Sequence, residues 1–492
     1  MRNRTRHSLT TRFLSILTAV LLGTMSGMAL ANPDTLSDTD ITFAIESEFL
    51  YDPMVDANAI DIETHNGVVI LNGTLDNLLS EERAIDLART VKGVRSVVDK
   101  LSIEPPTVSD ETLKSRLMEA FLRNPTTESY ELEMTVENGI VTLDGVVDSW
   151  SEKSLSTTVA RGVRGVQAVV NNATVQYPEE RPDYEIASEV ESRLKHSVWI
   201  DHQPLEVSVD DGTVMLNGVV SSAAEKHRAM NAAWVNGVEA VDTTGLDVQW
   251  WRKSDATREF ATADMSDADV KQAVNSALTY DPRVFSFHPD VTVQNGVVTL
   301  SGTVDNLQAK WAAEETAENT RGVRRVVNYL KVRPGIVLDD TKLVSQIDDA
   351  YLWDPIPEPY ELTVTARNGD IWLSGTVDSY AEKVRAENLA AAVNGVISVN
   401  NNLVVEDREF AELDWEIRED IESELFWNPE INAANVAVSV DDGTAILTGT
   451  VDHWQAVWSA TQEAYEGGAI QVRNQLNVRN NDMSAATSTD GG

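Results

Sequence analysis

Residues 295–302 read Asn-Gly-Val-Val-Thr-Leu-Ser-Gly, and related stretches occur six times along the 492-residue chain. An Asn-Gly dipeptide between alternating apolar residues is a strong signal for a β-hairpin, because a type I′ turn needs positive φ at both central positions. The turn glycines lie 72, 73, 84, 73 and 74 residues apart and are Gly67, Gly139, Gly212, Gly296, Gly369 and Gly443. Repeats of this period indicate an array of small modules rather than one large domain.

The sequence around residues 295–302 predicts the order helix, strand, strand, helix, strand. Apolar residues upstream recur at helical spacing and are Val270, Ala273, Val274, Ala277 and Leu278. Tyr280-Asp281-Pro282 ends that helix, because proline disfavours the helical conformation in the residue before it. Downstream, Asn306 begins a second helix, and Gly322 opens the last strand.

The returning strand of the hairpin has one constant and one variable face. In every copy the second residue after the turn glycine is apolar and the fourth is leucine, whereas the third varies from Thr142 to Trp372. Because side chains alternate across a strand, we expect both helices to cover the constant face and leave the variable face for solvent, a neighbouring module or a ligand. The sequence therefore predicts an α+β fold of six tandem αββαβ modules. Each has two helices on one face of a three-stranded mixed sheet, with the third strand parallel to the second.

The repeats also predict the organisation of the chain. Sequence similarity at a fixed offset relates modules 1 and 4, 2 and 5, and 3 and 6, with offsets of 229, 230 and 231 residues. A three-module unit was therefore duplicated whole. We predict two three-module lobes, whose relative arrangement the sequence leaves open. The predicted segments are a signal peptide at 1–31, modules 1 to 6 at 38–104, 109–176, 183–249, 266–333, 338–406 and 413–479, a linker at 250–265 and a disordered tail at 480–492.

The first 31 residues have the pattern of a secretory signal peptide. Four arginines precede the apolar stretch from Phe13 to Leu22, and Ala29-Leu30-Ala31 is a small-x-small cleavage site. A membrane anchor is the alternative, but glycine and serine soon interrupt the apolar stretch. We therefore expect a periplasmic protein with no transmembrane segment in its mature chain.

The chain is strongly acidic, with a formal net charge of −40. Removing the four arginines of the signal segment, which has no carboxylates, gives −44. This charge repels nucleic acid and bare anionic lipid at long range, so we predict no nucleic-acid partner. Because the acidic residues are spread over every module, solubility explains them better than an acidic binding function does.

Candidate catalytic groups are sparse. The chain has no cysteine, which removes thiol catalysis, cysteine metal sites and disulfides, and its seven histidines do not recur at one module position. Pairs such as Ser149 with Glu152, Ser222 with Glu225 and Ser379 with Glu382 resemble helix capping boxes rather than catalytic pairs. We therefore predict no enzyme activity, no cofactor and no metal ligands. The aromatic-Asx-Pro stops, such as Trp353-Asp354-Pro355, terminate helices, with a repeated aromatic ligand site as the alternative.

Two motifs resemble those of the BON domain, a family named for bacterial osmotically inducible and nodulation proteins. Residues 145–153 match its Gly-x-Val-x-Ser-x-x-Glu-Lys segment, and residues 395–403 match its Gly-Val-x-x-Val-x-Asn-x-Leu segment. The family glycine corresponds to Gly93, Gly165, Gly237, Gly322, Gly395 and Gly468. The resemblance implies a helix-strand-strand-helix-strand fold, export to the periplasm or envelope, and phospholipid or envelope binding under osmotic stress without enzyme activity. Module 6 departs most from the motif, with Gly468-Ala469-Ile470 for Gly-Val-x.

Three tryptophans are the candidate binding residues. Trp311 and Trp458 occupy a second-helix position that is polar in three modules, and Trp372 lies on the variable sheet face. Tryptophan suits protein and membrane interfaces, but burial between modules is the alternative. We expect a non-enzymatic envelope protein that binds membrane surfaces or unfolded client proteins. The alternative is a structural spacer that bridges envelope components, and the oligomeric state is left open.

Overall fold

The structure is a computed structural model that describes residues 36–52, 54–124, 127, 132–177, 180–201, 204–252, 265–284, 287–335, 338–356, 362–405, 413–428, 430–451 and 453–478. The predicted signal peptide, the predicted tail and most of the predicted linker lie outside these residues.

The first triplet contains modules 1 to 3. Module 1 comprises α1 (Asp38–Tyr51), β1 (Ile60–His65), β2 (Val68–Leu75), α2 (Leu78–Thr90) and β3 (Ser96–Ile103). Module 2 comprises α3 (Asp110–Arg123), β4 (Leu132–Glu137), β5 (Ile140–Val147), α4 (Trp150–Arg161), β6 (Ala168–Asn171) and β7 (Thr174–Val175). Module 3 comprises α5 (Asp183–His196), β8 (Leu205–Asp210), β9 (Thr213–Val220), α6 (Ala223–Ala232) and β10 (Ala240–Val248).

The second triplet repeats this order. Module 4 comprises α7 (Asp267–Thr279), β11 (Asp290–Gln294), β12 (Val297–Ser301), β13 (Thr303–Val304), α8 (Leu307–Glu318), β14 (Arg325–Asn328) and β15 (Lys331–Val332). Module 5 comprises α9 (Asp340–Trp353), β16 (Leu362–Arg367), β17 (Asp370–Val377), α10 (Tyr380–Ala391) and β18 (Ser398–Val405). Module 6 comprises α11 (Asp414–Trp427), β19 (Val436–Asp441), β20 (Thr444–Val451), α12 (Trp454–Glu466) and β21 (Gln471–Val478).

The structure confirms the predicted fold in each module. The first and second strands form an antiparallel hairpin, and the crossover through the second helix brings the third strand parallel to the second, as β18 lies beside β17. The hairpin turns have the predicted positive φ at both central residues, for example 51° at Asn295 and 73° at Gly296. The Asn-Gly and Asp-Gly dipeptides therefore form the six hairpins, because these residue types tolerate left-handed backbone conformations.

Each module has its own core between the sheet and the two helices. On β12, Val298 and Leu300 point inward and are fully buried, and they pack with Val274 of α7 and Ala313 of α8. The alanines on the second helix let it approach the sheet closely. The constant strand face predicted from the sequence is therefore the buried face, and the variable face points away from the helices.

The second helices begin at side-chain caps, with one difference from the capping-box prediction. Ser149 Oγ accepts a hydrogen bond from the Glu152 N–H at 3.1 Å, as expected. The Glu152 carboxylate, however, accepts from the N–H of Asp148, one residue before the cap. Glu382 does the same with the N–H of Asp378. The glutamates thus tie the helix start to the end of the preceding strand, because the chain turns sharply there.

Within the first triplet, each module contacts the other two. Arg161 of module 2 forms an ion pair with Glu81 of module 1 at 2.8 Å. Modules 2 and 3 join through the stacked rings of Trp150 and Trp234, and helix α2 of module 1 packs against α6 of module 3. The first triplet therefore closes into a ring.

The second triplet closes in a related way. Trp311 and Leu307 of module 4 pack against the core of module 5. The rings of Tyr380 and Tyr465 stack between modules 5 and 6, and Trp454 Nε1 of module 6 donates to the Arg324 carbonyl of module 4 at 2.6 Å. Neighbouring modules therefore pack against each other within both triplets.

The two rings face each other in module pairs 1 with 6, 2 with 5, and 3 with 4. One backbone hydrogen bond recurs in these pairs: the N–H before the family glycine donates to the carbonyl that ends the partner's first helix. The bonds join Lys92 to Trp427 at 3.2 Å, Arg164 to Trp353 at 2.7 Å, Asn394 to Arg123 at 3.2 Å and Arg321 to His196 at 2.7 Å. In pair 2 with 5 the bond is reciprocal, which indicates local two-fold symmetry. The described residues from Asp38 onward belong to one compact unit.

Candidate functional site

The outward sheet faces are the surfaces that the modules leave open for binding. A row of three residues, one from each strand, crosses the middle of each face. The rows are Glu63–Ile70–Val98, Thr135–Thr142–Val170, Ser208–Met215–Asp242, Thr292–Thr299–Val327, Thr365–Trp372–Asn400 and Ser439–Ile446–Arg473. The rows mix hydroxyl, charged and apolar side chains, so the six faces share one geometry but differ in chemistry.

Module 5 presents the largest aromatic group on such a face. Trp372 is 36% exposed and lies between Thr365 on β16 and Asn400 on β18. Ser374 and Val404 are also exposed on this sheet. An indole among short polar side chains offers apolar area with hydrogen-bonding groups at its border, which suits contact with another polypeptide.

The other two candidate tryptophans lie elsewhere. Trp458 is 52% exposed on helix α12 of module 6. Trp311 on α8 is half-buried and packs against the core of module 5, where Leu307 of the same helix also inserts. The structure therefore does not bring Trp311, Trp372 and Trp458 into one site. The location of Trp311 matches the alternative of burial between modules, and binding through Trp372 and Trp458 stays a prediction.

The first strand of each module forms an edge of its sheet. Strand order is first, second, third in the sheets, so among the residues that the structure describes β1, β4, β8, β11, β16 and β19 pair with a neighbouring strand on one side. An edge strand presents unpaired N–H and C=O groups to which an extended chain can add. In the first triplet the exposed side chains of these edges are largely acidic, as with Asp61 and Glu63 on β1 and Glu133 and Glu137 on β4.

An aspartate at the start of each first helix holds the hairpin turn, a role that was not predicted from the sequence. Asp267 accepts from the N–H of Asn295 at 2.8 Å and from the N–H of Gly296 at 2.9 Å. These backbone hydrogen bonds lower the pKa of Asp267 below its usual value. The same pair of bonds is made by Asp38, Asp110, Asp183, Asp340 and Asp414. The signal was an aspartate 28 residues before each turn.

The family glycines have a structural role in helix packing. Gly322 has a φ of +88°, and a Cβ placed on it would lie 2.7 Å from Val270 Cγ2 of helix α7. The first helix thus rests directly on this backbone position, and a larger residue would push it away. The other five, Gly93, Gly165, Gly237, Gly395 and Gly468, also have φ between 90° and 103°.

The aromatic residues at the helix stops lie at module interfaces. Trp353 faces the Arg123 guanidinium of module 2 at 4.5 Å, and Tyr280 faces Arg193 of module 3 at 4.9 Å. The following Asp354 is buried and accepts hydrogen bonds from Arg385. These contacts give the stops a structural role in joining the two rings.

Comparison with known proteins gives the family. Residues 37–105, 109–177, 182–249, 266–334, 339–407 and 414–480 each match the BON domain. The chain is 37% identical over 145 residues to osmotically-inducible protein Y of Escherichia coli, covering 28% of this chain and 72% of that protein. It is 30% identical over 109 residues to outer membrane lipoprotein DolP of Haemophilus influenzae, covering 21% of this chain and 56% of that protein.

Solved structures add a more distant likeness. The C-terminal domain of CdsD, a structural protein of the type III secretion system of Chlamydia trachomatis, matches with 17% identity and a TM-score of 0.12, covering 44% of this chain and all of that domain. Among the described residues, no helix is long and apolar enough to cross a membrane. With six matched segments that account for most of its length, the chain belongs to the BON domain family.

Proposed function

We propose that the protein is a non-enzymatic periplasmic protein of osmotic and envelope stress that binds unfolded client polypeptides through its outward sheets. Its similarity to an osmotically-inducible protein and to an outer membrane lipoprotein supports the envelope role. The secretory pattern of residues 1–31 supports the periplasmic location. The observation that supports client binding is the edge position of the first strands, each of which pairs with one other strand among the described residues.

An unfolded chain suits these edges because backbone hydrogen bonds recognise any extended sequence. Each edge strand spans five or six residues, which accommodates a short extended segment. Side chains on the adjacent sheet face then set preferences, as Trp372 does on module 5. Six such edges on one compact frame let a single client make several weak contacts at once, which raises its overall affinity.

The charge distribution favours polypeptide clients over anionic phospholipid. The net charge of −40 repels an anionic membrane surface, whereas a basic unfolded segment is attracted to the acidic edges of modules 1 and 2. Charged edge strands also discourage copies of this protein from pairing with each other. We therefore place unfolded client proteins ahead of the membrane surface as partners.

The alternative role, a spacer that bridges envelope components, has less support. Module 1 contacts module 6 through the hydrogen bond from Lys92 to Trp427, so the first and last modules lie side by side. An extended spacer needs its terminal modules far apart. If the protein bridges envelope components, it must do so as a compact scaffold that binds partners on several of its faces.

A binding experiment tests the proposal. The full mature chain is titrated with a fluorescently labelled, permanently unfolded basic polypeptide, and separately with phosphatidylglycerol and phosphatidylcholine vesicles. We expect saturable binding of the polypeptide that weakens with salt, and weak binding of both vesicles. Trp372→Ala should reduce polypeptide binding without changing the melting temperature. Trp251→Ala, at a tryptophan that is 46% exposed outside the sheets, is the matched control. Stronger binding to the anionic vesicles than to the polypeptide would contradict the proposal.

A further inference from the structure

A cluster of buried carboxylates lies where module 1 meets module 6. We call it the glutamate cluster, and its members are Glu48 of α1, Glu424 of α11, and Glu463 and Glu466 of α12. Glu48 is 7% exposed, Glu424 4% and Glu463 8%. Carboxylates are rarely buried to this extent unless they are paired or bind a metal ion.

The cluster is specific to this module pair. Glu48 and Glu424 lie three residues before the aromatic residue that ends their helices. In pair 2 with 5, the corresponding residues are Ala120 and Ala350. In pair 3 with 4 they are Arg193 and Ala277. Helix packing between paired modules therefore does not require a carboxylate at this position, and the pair of modules 1 and 6 is the one that carries a carboxylate on both helices.

The nearby cation does not balance this charge. Arg83 of α2 contacts Asp52 at 2.7 Å and Glu466 at 2.9 Å, so one guanidinium serves two carboxylates. Asp52 adds a fifth acidic group beside the four of the cluster. If all five were ionised, the site would hold four uncompensated negative charges, which a buried interface tolerates only with protons or another cation.

Glu463 supplies an independent observation that points to a ligand. Its Oε1 accepts a hydrogen bond from Asn428 Nδ2, which orients the carboxylate. Its Oε2 is buried and has no hydrogen-bond partner among the described residues. A buried carboxylate oxygen without a partner loses the hydrogen bonds that water gave it, so it needs a ligand.

The geometry points to a metal ion as that ligand. One oxygen each from Glu48, Glu463 and Glu466 lies within 4.8 Å of the others. Oxygens at this spacing can contact a common ion at the Ca²⁺–oxygen distance of about 2.3–2.6 Å. We propose that these three carboxylates bind Ca²⁺ and that the ion holds module 1 against module 6.

Calcium fits the donor set better than other common ions do. All donors are carboxylate oxygens, the ligands of hard cations, and no histidine or cysteine belongs to the group. Ca²⁺ accepts irregular geometry, whereas Mg²⁺ demands a near-ideal octahedron and releases its water reluctantly. Residue spacing within a single module gives no sign of this site, because its ligands come from the two ends of the array.

The test uses the full mature chain stripped of metal with EDTA, in which Ca²⁺ binding is measured by calorimetry and by the shift in melting temperature at constant ionic strength. We expect one saturable site in the wild type and a higher melting temperature with Ca²⁺. Glu463→Gln should weaken binding about tenfold or more, since even an outer-shell partner of a metal ligand contributes that much. Glu422→Gln, at a glutamate on α11 whose side chain is 55% exposed, is the control for weak binding to surface acids and should bind as the wild type does.

Other outcomes overturn the proposal. A wild-type chain whose melting temperature does not respond to Ca²⁺ excludes the site, as does equal binding by Glu463→Gln and Glu422→Gln. If Glu463→Gln fails to fold, Glu48→Gln replaces it, with the same expected loss. A rise in melting temperature from acid alone, with no calcium effect, would show that protons rather than a metal ion neutralise the glutamate cluster.

Discussion

Trp150 and Trp234 stack with their ring centroids 4.9 Å apart and their planes 4° from parallel, and this contact joins module 2 to module 3. Tyr380 and Tyr465 repeat it between modules 5 and 6, with centroids 4.1 Å apart. In both pairs, the first residue of one second helix meets the C-terminal end of the next: Tyr465 lies in the last turn of α12, and Trp234 follows two residues after the end of α6. The duplicated triplet therefore kept its interface geometry while the aromatic residue type changed.

The stacking predicts a measurable coupling between Trp150 and Trp234. Each alanine substitution should destabilise the chain by about 2–4 kcal/mol through lost burial. In a double-mutant cycle, the two losses should fall short of additivity by about 0.5–1.5 kcal/mol, the usual value of an aromatic pair. Denaturant unfolding measures these values, with Trp251→Ala as the control. Full additivity would show that the rings do not stabilise each other.

The fold of a single module could be predicted from sequence because its signals are local. The Asn295-Gly296 dipeptide favours a tight turn. Apolar and polar residues alternate along the strand that contains Val298 and Leu300, so that only one face of this strand can be buried. The hairpin, the buried face and the parallel third strand followed from these signals and from chain topology. The contact between Asp267 and the hairpin turn was not predicted, because an acidic residue at the start of a helix is already explained by its favourable interaction with the helix dipole.

The contacts between modules could not be predicted in the same way. The hydrogen bond from Arg164 to Trp353 joins two backbone groups, which every residue type carries except for the N–H of proline. The glutamate cluster joins helices from opposite ends of the array, and no local pattern connects Glu48 with Glu463. Local residue patterns therefore predict the fold of each module, whereas the contacts between modules become visible only in the packed structure.

Replacing Gly296 tests the hairpin assignment. Gly296 has a φ of +73°, and an added Cβ would lie 2.9 Å from Arg324 Cγ and 3.0 Å from the Gly322 carbonyl oxygen. Gly296→Val should cost roughly 1–2 kcal/mol, because a β-branched residue is disfavoured in left-handed backbone. Gly335→Val is the matched control, since nothing lies within 4 Å of a Cβ at Gly335. An unchanged free energy of unfolding in Gly296→Val would argue against the turn.

Removing the carboxylate of Asp267 tests the link between the first helix and the hairpin. Asp267→Ala should lower the melting temperature, because two turn N–H groups lose their acceptor, whereas Asp267→Asn keeps one side-chain oxygen and should lose less. Asp290→Ala, at an exposed aspartate at the start of β11, should have little effect. Equal melting temperatures for Asp267→Ala and Asp290→Ala would show that the turn does not depend on this contact.

Asp267 also determines how the stability of the chain changes at low pH. Its backbone hydrogen bonds lower the pKa of Asp267 in the folded state, so its contribution to stability is present above the unfolded value of about 3.9. That contribution is lost as the pH falls through the folded pKa. Asp267→Asn should therefore narrow its stability difference from the wild type below about pH 4. A difference that stays constant through this range would contradict the assigned pKa direction.

For the glutamate cluster we expect a pH dependence of the opposite sign: its contribution to stability decreases as the pH rises, and it does so at a higher pH than for Asp267. Burial is the main cause of a pKa of about 8 at Glu424, and the charge of Glu463 adds to it. Burial also raises the pKa of Glu48 and of Glu463 well above the usual value. The other charged groups that face them are Glu466 and Asp420, which oppose ionisation, and Arg83, which favours it, while Asp52 acts on Glu466.

Because the folded pKa of Glu424 lies above the unfolded value of about 4.3, the folded state holds more protons between these two values. The contribution of Glu424 to the stability of the calcium-free chain then decreases as the pH rises through this window. We expect the melting temperature in EDTA to be lower at about pH 8 than at about pH 5. Glu424→Gln, which cannot ionise, should reduce this difference, and the exposed control Glu422→Gln should leave it unchanged. If Glu424→Gln retains the full wild-type difference, the decrease arises from the general surface charge, and the cluster is not its source.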